Sequence, residues 1–314
     1  MRKRRIAAII VVALVAGAVG TWLALDRETV ELTEDYRRLV GGTYAPLPAG
    51  NTHYILGGSP DGEAVVFLHG ASIAIWDFDL QAPLLARAGY RVLRYDALGR
   101  GLSERPDVPF TRALFVRQLR ELLDHLKMHR VVLVGHSLGG AVAAAFAAAY
   151  PQRVRGVVFV APVMNAVETK GPFITCRTPV AGSLLFRLFM GPTLAARANE
   201  QWRSAGVDPV PYERLFDRQA SIKGFERSMC RMFQSDLVGD YRPLYGTVDR
   251  AGIPVSFVYG PLDRTIGLQN VQDMKTRCPS FSFHRLDGTG HSPHVQDADG
   301  FNDLLMSFLR ALPP

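Results

Sequence analysis

Apolar and polar positions alternate in blocks along most of this chain. Short apolar runs at 64–68, 91–96, 131–135, 156–161, 255–259 and 281–286 have the length and β-branched content of buried strands. Between them, apolar residues recur at helical spacing near 79–88, 111–127, 138–150, 267–276 and 301–311, which predicts helices. Residues 43–56 read as short strands with Pro and Gly between them. Alternation of this kind demands a mostly parallel sheet covered by helices on both faces, an α/β architecture. Loops that follow the strand ends then gather along one edge.

Two stretches depart from the alternation. Between Ala161 and about Arg250 the strand pattern stops, and helical stretches are broken by Pro172, Pro179, Pro192, Pro209 and Pro211. This segment reads as a helical cap inserted into the sheet after the fourth of those strands. The expected division is therefore a core of residues 27–162 and 246–314, a cap of residues 163–245, and an N-terminal segment of residues 1–26. The cap is rich in large apolar side chains: Phe173, Leu184, Leu185, Phe186, Leu188, Phe189, Met190, Trp202, Phe216, Phe225, Met229, Met232 and Phe233. Two readings fit them equally. They roof an apolar pocket, or they only bind cap helices to the body, as spacings such as Leu185/Phe189 require.

The second departure is the N-terminus. A cationic cluster, Arg2-Lys3-Arg4-Arg5, precedes a run from Ile6 to Leu25 that carries no charge. That length matches one bilayer crossing. The first charge after it is Asp26, followed by Glu28, Glu31, Glu34 and Asp35. Basic residues before the run and acidic ones after it predict a cytoplasmic N-terminus and an external body. A cleavable signal peptide is the alternative, with Ala16-Gly17-Ala18 as small residues for a peptidase. The continuation of the run to Leu25 favours the retained anchor.

Composition changes this picture little. A chain of 314 residues, 48% hydrophobic and 21% charged, is ordinary for a globular enzyme. Of its formal charge of +7, four units come from the N-terminal cluster. The remainder is too small and scattered to argue for nucleic-acid binding. The three cysteines, Cys176, Cys230 and Cys278, suit no zinc spacing, and their odd count leaves at least one unpaired. In an exported domain Cys176 and Cys230 can bond; otherwise they are small buried hydrophobes.

The chemistry lies at the strand ends. Gly135-His136-Ser137-Leu138-Gly139 follows the run Val131–Val134 and precedes an Ala-rich helical pattern. A Ser at the apex of a tight strand-to-helix turn is held clear of the sheet with its hydroxyl exposed, and glycines two residues away on either side leave room for the turn. A neutral hydroxyl needs a base and a group to orient that base. Asp263 follows the strand at 255–259, and His291 lies in Gly290-His291-Ser292-Pro293 after the last strand. This is the chain order that such a turn predicts. His294 is the rival base, and Asp236 and Asp240 are the rival acids. His69-Gly70-Ala71-Ser72 follows the strand at 64–68, so the N–H of Ala71 can pair with that of Leu138 as an oxyanion hole. His69 is expected to brace that loop, and His136 to pack or to line the pocket.

With these motifs in place, the chain resembles the serine branch of the α/β-hydrolase family, from about Asn51 to Leu312. The segments that carry the resemblance are His69-Gly70-Ala71-Ser72 with Trp76, Asp96 to Ser103, Gly135 to Gly140, Gly260 to Asp263, and Gly290-His291. The resemblance implies an esterase or monoacylglycerol-lipase-like enzyme that cleaves carboxylic esters through an acyl-enzyme. Ser137 would be the nucleophile, His291 the base, Asp263 its orienting acid, and Ala71 with Leu138 the oxyanion hole. Carbon–carbon bond hydrolysis on the same residues, or a ligand receptor with little turnover, are the rival readings. No metal or organic cofactor is expected, since nothing resembles a phosphate loop, a dinucleotide turn or a metal box. The expected partners are a small-molecule ester and the lipid bilayer.

Overall fold

The computed structural model of the protein describes residues 2–166, 176 and 182–313. An eight-stranded sheet runs through it in the order β1-β2-β4-β3-β5-β6-β7-β8. Its strands are β1 (Thr43–Leu47), β2 (Gly50–Gly58), β3 (Ala64–Leu68), β4 (Arg91–Tyr95), β5 (Val131–His136), β6 (Val154–Val160), β7 (Val255–Tyr259) and β8 (Ser282–Arg285). From β4 to β8 all neighbours pair in parallel, while β1–β2 and β2–β4 are antiparallel. Every residue of β5 is buried, as a central strand covered on both faces requires.

Helices α1 (Arg2–Ala24) and α2 (Glu34–Val40) precede the sheet. The apolar pattern does not predict α2, a short helix held by local caps. Thr33 Oγ1 caps it by accepting from Tyr36 N at 3.1 Å. Within and around the sheet lie α3 (Ala82–Arg87), α4 (Arg112–His125) and α5 (Leu138–Ala149). The helix expected at 79–88 is shorter than predicted, since residues 79–81 form a turn and the helix starts at Ala82, with Pro83 in its first turn.

The segment between β6 and β7 carries α6 (Gly182–Leu185), a π-turn at Phe186–Met190, α7 (Gly191–Ser204), α8 (Val210–Ser221), α9 (Phe225–Phe233) and α10 (Arg242–Arg250). Phe173, Pro172 and Pro179 lie outside the described residues. Cys176 and Cys230 are joined by a disulfide with their Cα atoms 4.7 Å apart. Cys278 is free and buried, and burial pushes its thiol up to about 12. The chain closes with α11 (Leu268–Arg277), α12 (Pro293–Gln296) and α13 (Ala298–Ala311).

The apolar side chains of the insertion mostly pack. Phe186, Met190, Phe216, Phe225, Met229, Met232 and Phe233 join one cluster with β5, β6 and α5. Trp202 is fully buried and stacks on Tyr212 at 3.5 Å between ring centroids. Leu188 and Phe189 instead face outward.

Candidate active site

The turn after β5 is as tight as its glycines suggest. A Cβ at Gly139 would lie 2.1 Å from the Leu68 carbonyl oxygen, and one at Gly135 would lie 2.6 Å from the Gly139 oxygen. Between them Ser137 adopts φ 51° and ψ −114°, outside the usual regions for an L-residue. Such strain amounts to roughly 1–3 kcal/mol and persists only where surroundings fix it. Here Ser137 N donates to Val160 O at 2.9 Å, and Val163 N donates to Ser137 O at 3.0 Å.

The expected exposure of Ser137 is not observed. The residue is 8% exposed, because the inserted helices lie over the strand ends. From α7, Gln201 accepts from Ser292 Oγ at 2.7 Å, next to His291. From α9, Ser228 meets Arg100 at 3.0 Å, above the loop that carries Ala71.

Ser137, His291 and Asp263 form one hydrogen-bonded chain. His291 Nε2 lies 2.9 Å from Ser137 Oγ, and its Nδ1 lies 2.8 Å from Asp263 Oδ2. The other oxygen of Asp263 accepts from Thr265 N at 2.7 Å and Ile266 N at 2.9 Å. The Asp263 and His291 loops run close enough that a Cβ at Gly260 would sit 2.3 Å from the Gly290 oxygen. Leu262 N donates to Thr289 O at 2.9 Å across the same gap. Burial raises the Asp263 carboxyl. The His291 bond and charge, with the two backbone donors, outweigh that and hold it below its usual range.

The rival residues go elsewhere. Asp236 accepts from Arg112 N at 2.9 Å, and Asp240 pairs with Arg242 at 2.7 Å. His294 turns to Asp77, its Nε2 lying 3.2 Å from Oδ1.

Ala71 and Leu138 both line a cavity of about 20 Å³ together with His69, Gly70, Arg100 and Gly139. That volume admits one water-sized atom. His69 braces the loop as expected. Its Nε2 lies 2.9 Å from Ala97 N, so the proton sits on Nδ1, which donates to Gly70 O at 2.7 Å. This bond fixes the peptide that carries the Ala71 N–H. Burial lowers the His69 pKa and favours the neutral ring.

His136 neither packs idly nor lines that cavity. Its Nδ1 lies 2.8 Å from Asp77 Oδ2 and its Nε2 lies 2.9 Å from His291 O. Both partners are acceptors, so the ring carries two protons. Burial opposes that charge, but the Asp77 carboxylate outweighs it and the pKa rises. Asp77 also accepts from Gly70 N at 3.0 Å. Burial raises the Asp77 carboxyl, yet His136 and His294 together bring it well below its usual range. One buried carboxylate thus ties the Ala71 loop, the Ser137 turn and the His291 loop together. Sequence reasoning missed it, because Asp77 lies 59 residues from His136 and 217 from His294.

Arg100 was also missed as a site residue. Its Nε donates to Ala71 O, and its Nη1 donates to Gly99 O and Ser228 Oγ at 3.0 Å each. Among the described residues no carboxylate forms an ion pair with it. Burial, with the charge of Arg105, lowers its pKa to about 9.

A family model described as the alpha/beta hydrolase family matches residues 65–304. The chain is 30% identical over 264 residues to a 2-hydroxy-6-oxononadienedioate/2-hydroxy-6-oxononatrienedioate hydrolase of Paraburkholderia xenovorans, which covers 79% of this chain and 86% of the relative. Among solved structures, an esterase from Exiguobacterium antarcticum superposes with a TM-score of 0.72 at 18% identity, over 86% of this chain and all of that one. An enol-lactonase from Burkholderia xenovorans gives 0.69 at 21% identity, over 85% of this chain and all of that one. These two likenesses speak to the fold.

Proposed function

The chain belongs to the alpha/beta hydrolase family and is a hydrolase, and on that premise we propose that it cleaves carboxylic esters through an acyl-enzyme at Ser137. The observation that carries this reading is the continuous chain from Ser137 Oγ through His291 to Asp263. Ser137 Oγ attacks the carbonyl carbon while His291 Nε2 takes its proton. Asp263 holds the Nδ1 proton and stabilises the imidazolium. The N–H groups of Ala71 and Leu138 receive the negative charge that builds on the carbonyl oxygen, each worth on the order of 3 kcal/mol. The leaving alcohol takes the proton from His291. Water then attacks the acyl-enzyme by the same steps in reverse, releasing the acid.

Residues 163–245 act as a cap over a core of 27–162 and 246–314, and α1 anchors the enzyme in a membrane with its catalytic body outside the cytoplasm. The walls of the small cavity support an apolar acyl group: Leu68, Phe115, Leu138 and Val142 line it, with Tyr95, His69 and Arg100 as the polar members. At about 20 Å³ it holds no acyl chain without movement of the side chains that line it. Met232 in α9, whose Sδ accepts from Arg100 Nη2 at 3.3 Å, is the adaptable side chain beside it.

A panel of esters from acetyl to octanoyl tests this, with fluorophosphonate labelling to report the nucleophile. Each buried methylene contributes roughly 0.8 kcal/mol, so specificity constants rise about three- to fourfold per carbon until the space is filled. A flat or falling series would show that the acyl group is small or polar. Carbon–carbon bond hydrolysis through the same three residues is the second reading. The likeness to the Paraburkholderia xenovorans enzyme favours it, as does the buried Arg100 cation in the cavity wall, which suits an acidic substrate. Turnover of 2-hydroxy-6-oxononadienedioate with no ester in the panel accepted would establish that reading instead.

A further inference from the structure

The outer end of α1 is fastened to the inserted helices. Trp22 lies two residues before the helix ends at Ala24, and its indole donates to Ser183 Oγ at 2.7 Å. Arg187 donates to the Trp22 carbonyl at 2.7 Å, and its guanidinium stands 4.5 Å from the indole centroid. The same guanidinium pairs with Asp26 at 3.3 Å and Glu226 at 2.9 Å. The chain that leaves α1 continues along this surface. Glu28 accepts from Gly224 N at 2.7 Å and Glu226 N at 2.6 Å, and Lys223 N donates to Val30 O at 2.8 Å.

These contacts set a depth. The uncharged run Ile6–Leu25 has 20 residues, and as a helix it spans about 30 Å, the thickness of a hydrocarbon core. Trp22 therefore lies within about one helical turn of the outer boundary, where indoles concentrate. Ser183 and Arg187, bonded to that one residue, lie at the same level. The next two residues, Leu188 and Phe189, are 40% and 54% exposed. Phe189 is the only exposed phenylalanine among the described residues. A lone exposed apolar residue needs no explanation, but an exposed Leu-Phe pair beside a residue held at the bilayer boundary does.

We propose that the turn Phe186–Met190 dips Leu188 and Phe189 into the outer interfacial layer of the bilayer that α1 crosses, so that the inserted helices rest on the membrane. The occupant of this surface is phospholipid, and the inference rests on α1 being a retained span, not on the reaction.

The test uses the full chain in phosphatidylcholine vesicles, with Phe189→Cys or Leu188→Cys carrying an environment-sensitive fluorophore. Asp61→Cys is the reference. Asp61 is exposed and precedes β3, at the opposite edge of the sheet from the insertion. Unchanged melting of each variant shows that it is folded. Shallow doxyl-labelled lipid should quench probes at 188 and 189 several-fold more than the probe at 61, with a blue shift at the first two only. Equal quenching at all three sites, in chain that still floats with the vesicles after a carbonate wash, overturns the membrane contact and leaves the span intact. Chain that does not float overturns the span and the proposal with it.

Discussion

Replacing Asp263 by Asn isolates what the acid contributes to the site, because the surroundings dictate how the amide must sit. Asp263 Oδ1 accepts from two backbone donors, Thr265 N at 2.7 Å and Ile266 N at 2.9 Å. An amide nitrogen cannot accept these, so the carbonyl oxygen of Asn is pinned there. The NH2 group then faces His291 Nδ1, where Oδ2 lay at 2.8 Å. To accept from it, the imidazole must carry its proton on Nε2, which points at Ser137 Oγ, 2.9 Å away. Two donors then face each other and the base cannot take the hydroxyl proton. The expected loss is ~10⁴-fold in kcat, or ~5.5 kcal/mol of transition-state stabilisation. Folding should change little, since both backbone bonds survive. The assay is ester turnover with thermal melting alongside, and Asp240→Asn as a control, because Asp240 is taken by Arg242. A folded Asp263→Asn variant within tenfold of wild type, or a larger loss in the control, would refute this reasoning.

Two further outcomes follow from the same geometry. Ser137→Ala should abolish fluorophosphonate labelling and lower turnover on the order of a millionfold; near-normal hydrolysis by the folded variant would exclude Ser137 as nucleophile. Stability should fall on acidification in two stages, read from urea midpoints across a pH series. His69 and His294 have lowered folded pKa values because burial disfavours their charged forms. The unfolded chain binds more protons there, so stability declines as pH falls below about 6.5. Asp77, Asp96 and Asp263 also have lowered folded pKa values, so the stability they contribute is present above about 3.9 and is lost as pH falls through their folded values. His136 has a raised folded pKa, so its contribution is full below about 6.5 and is lost as pH rises above that. A midpoint that stays flat from about pH 6.5 to 5 would contradict the first stage.

What could be read from the sequence is what local pattern controls. The buried runs at 64–68, 131–135 and 255–259 form strands because nothing else satisfies so many consecutive β-branched and aromatic residues. The residues that meet at the site each follow a strand end, so a parallel sheet was enough to predict that Ser137, Asp263, His291 and Ala71 converge. The antiparallel edge of β1 and β2 was not separable from the parallel body, since residues 43–56 show strand pattern without direction. The Asp77 network was invisible for a different reason. An Asp beside a Trp in a loop has no pattern, and its two histidines reach it only through the fold. The apolar residues of the insertion likewise could not be sorted in advance. Met229 and Phe233 carry the same spacing whether they roof a pocket or fill a core, and only burial in the folded chain shows that they pack.

The position of the Ala71 loop relative to α1 is set by side chains more than by the backbone. Along the chain, Trp22 and Ala71 are separated by α2, the three strands β1, β2 and β3, and several loops. Through space the path is short. Trp22 is bonded to Ser183 and Arg187, Arg187 to Glu226 at the start of α9, and Ser228, two residues further on, to Arg100, which donates to the Ala71 carbonyl. Gln219 of α8 reinforces the last link by donating to Ser72 O at 2.9 Å and accepting from Gly101 N at 3.1 Å. Arg100 makes this path stiff. It is 2% exposed, and moving α9 away would leave its buried guanidinium short of an acceptor, at roughly 1–3 kcal/mol for each orphaned donor. The loop that carries the Ala71 N–H is thus held by the inserted helices, and those helices are held by the end of α1. Opening the space over Ser137 therefore requires the α9 side of this path to give way, or requires the space to come from α7, which is held by the neutral bonds Gln201–Ser292 and Ser204–Gln296 and by Trp202 packed with Ile73, Ala74, Trp76 and Val295. Neutral bonds restrain less than a bond to a charge, but the buried Trp202 that packs beside them holds α7 in place as well.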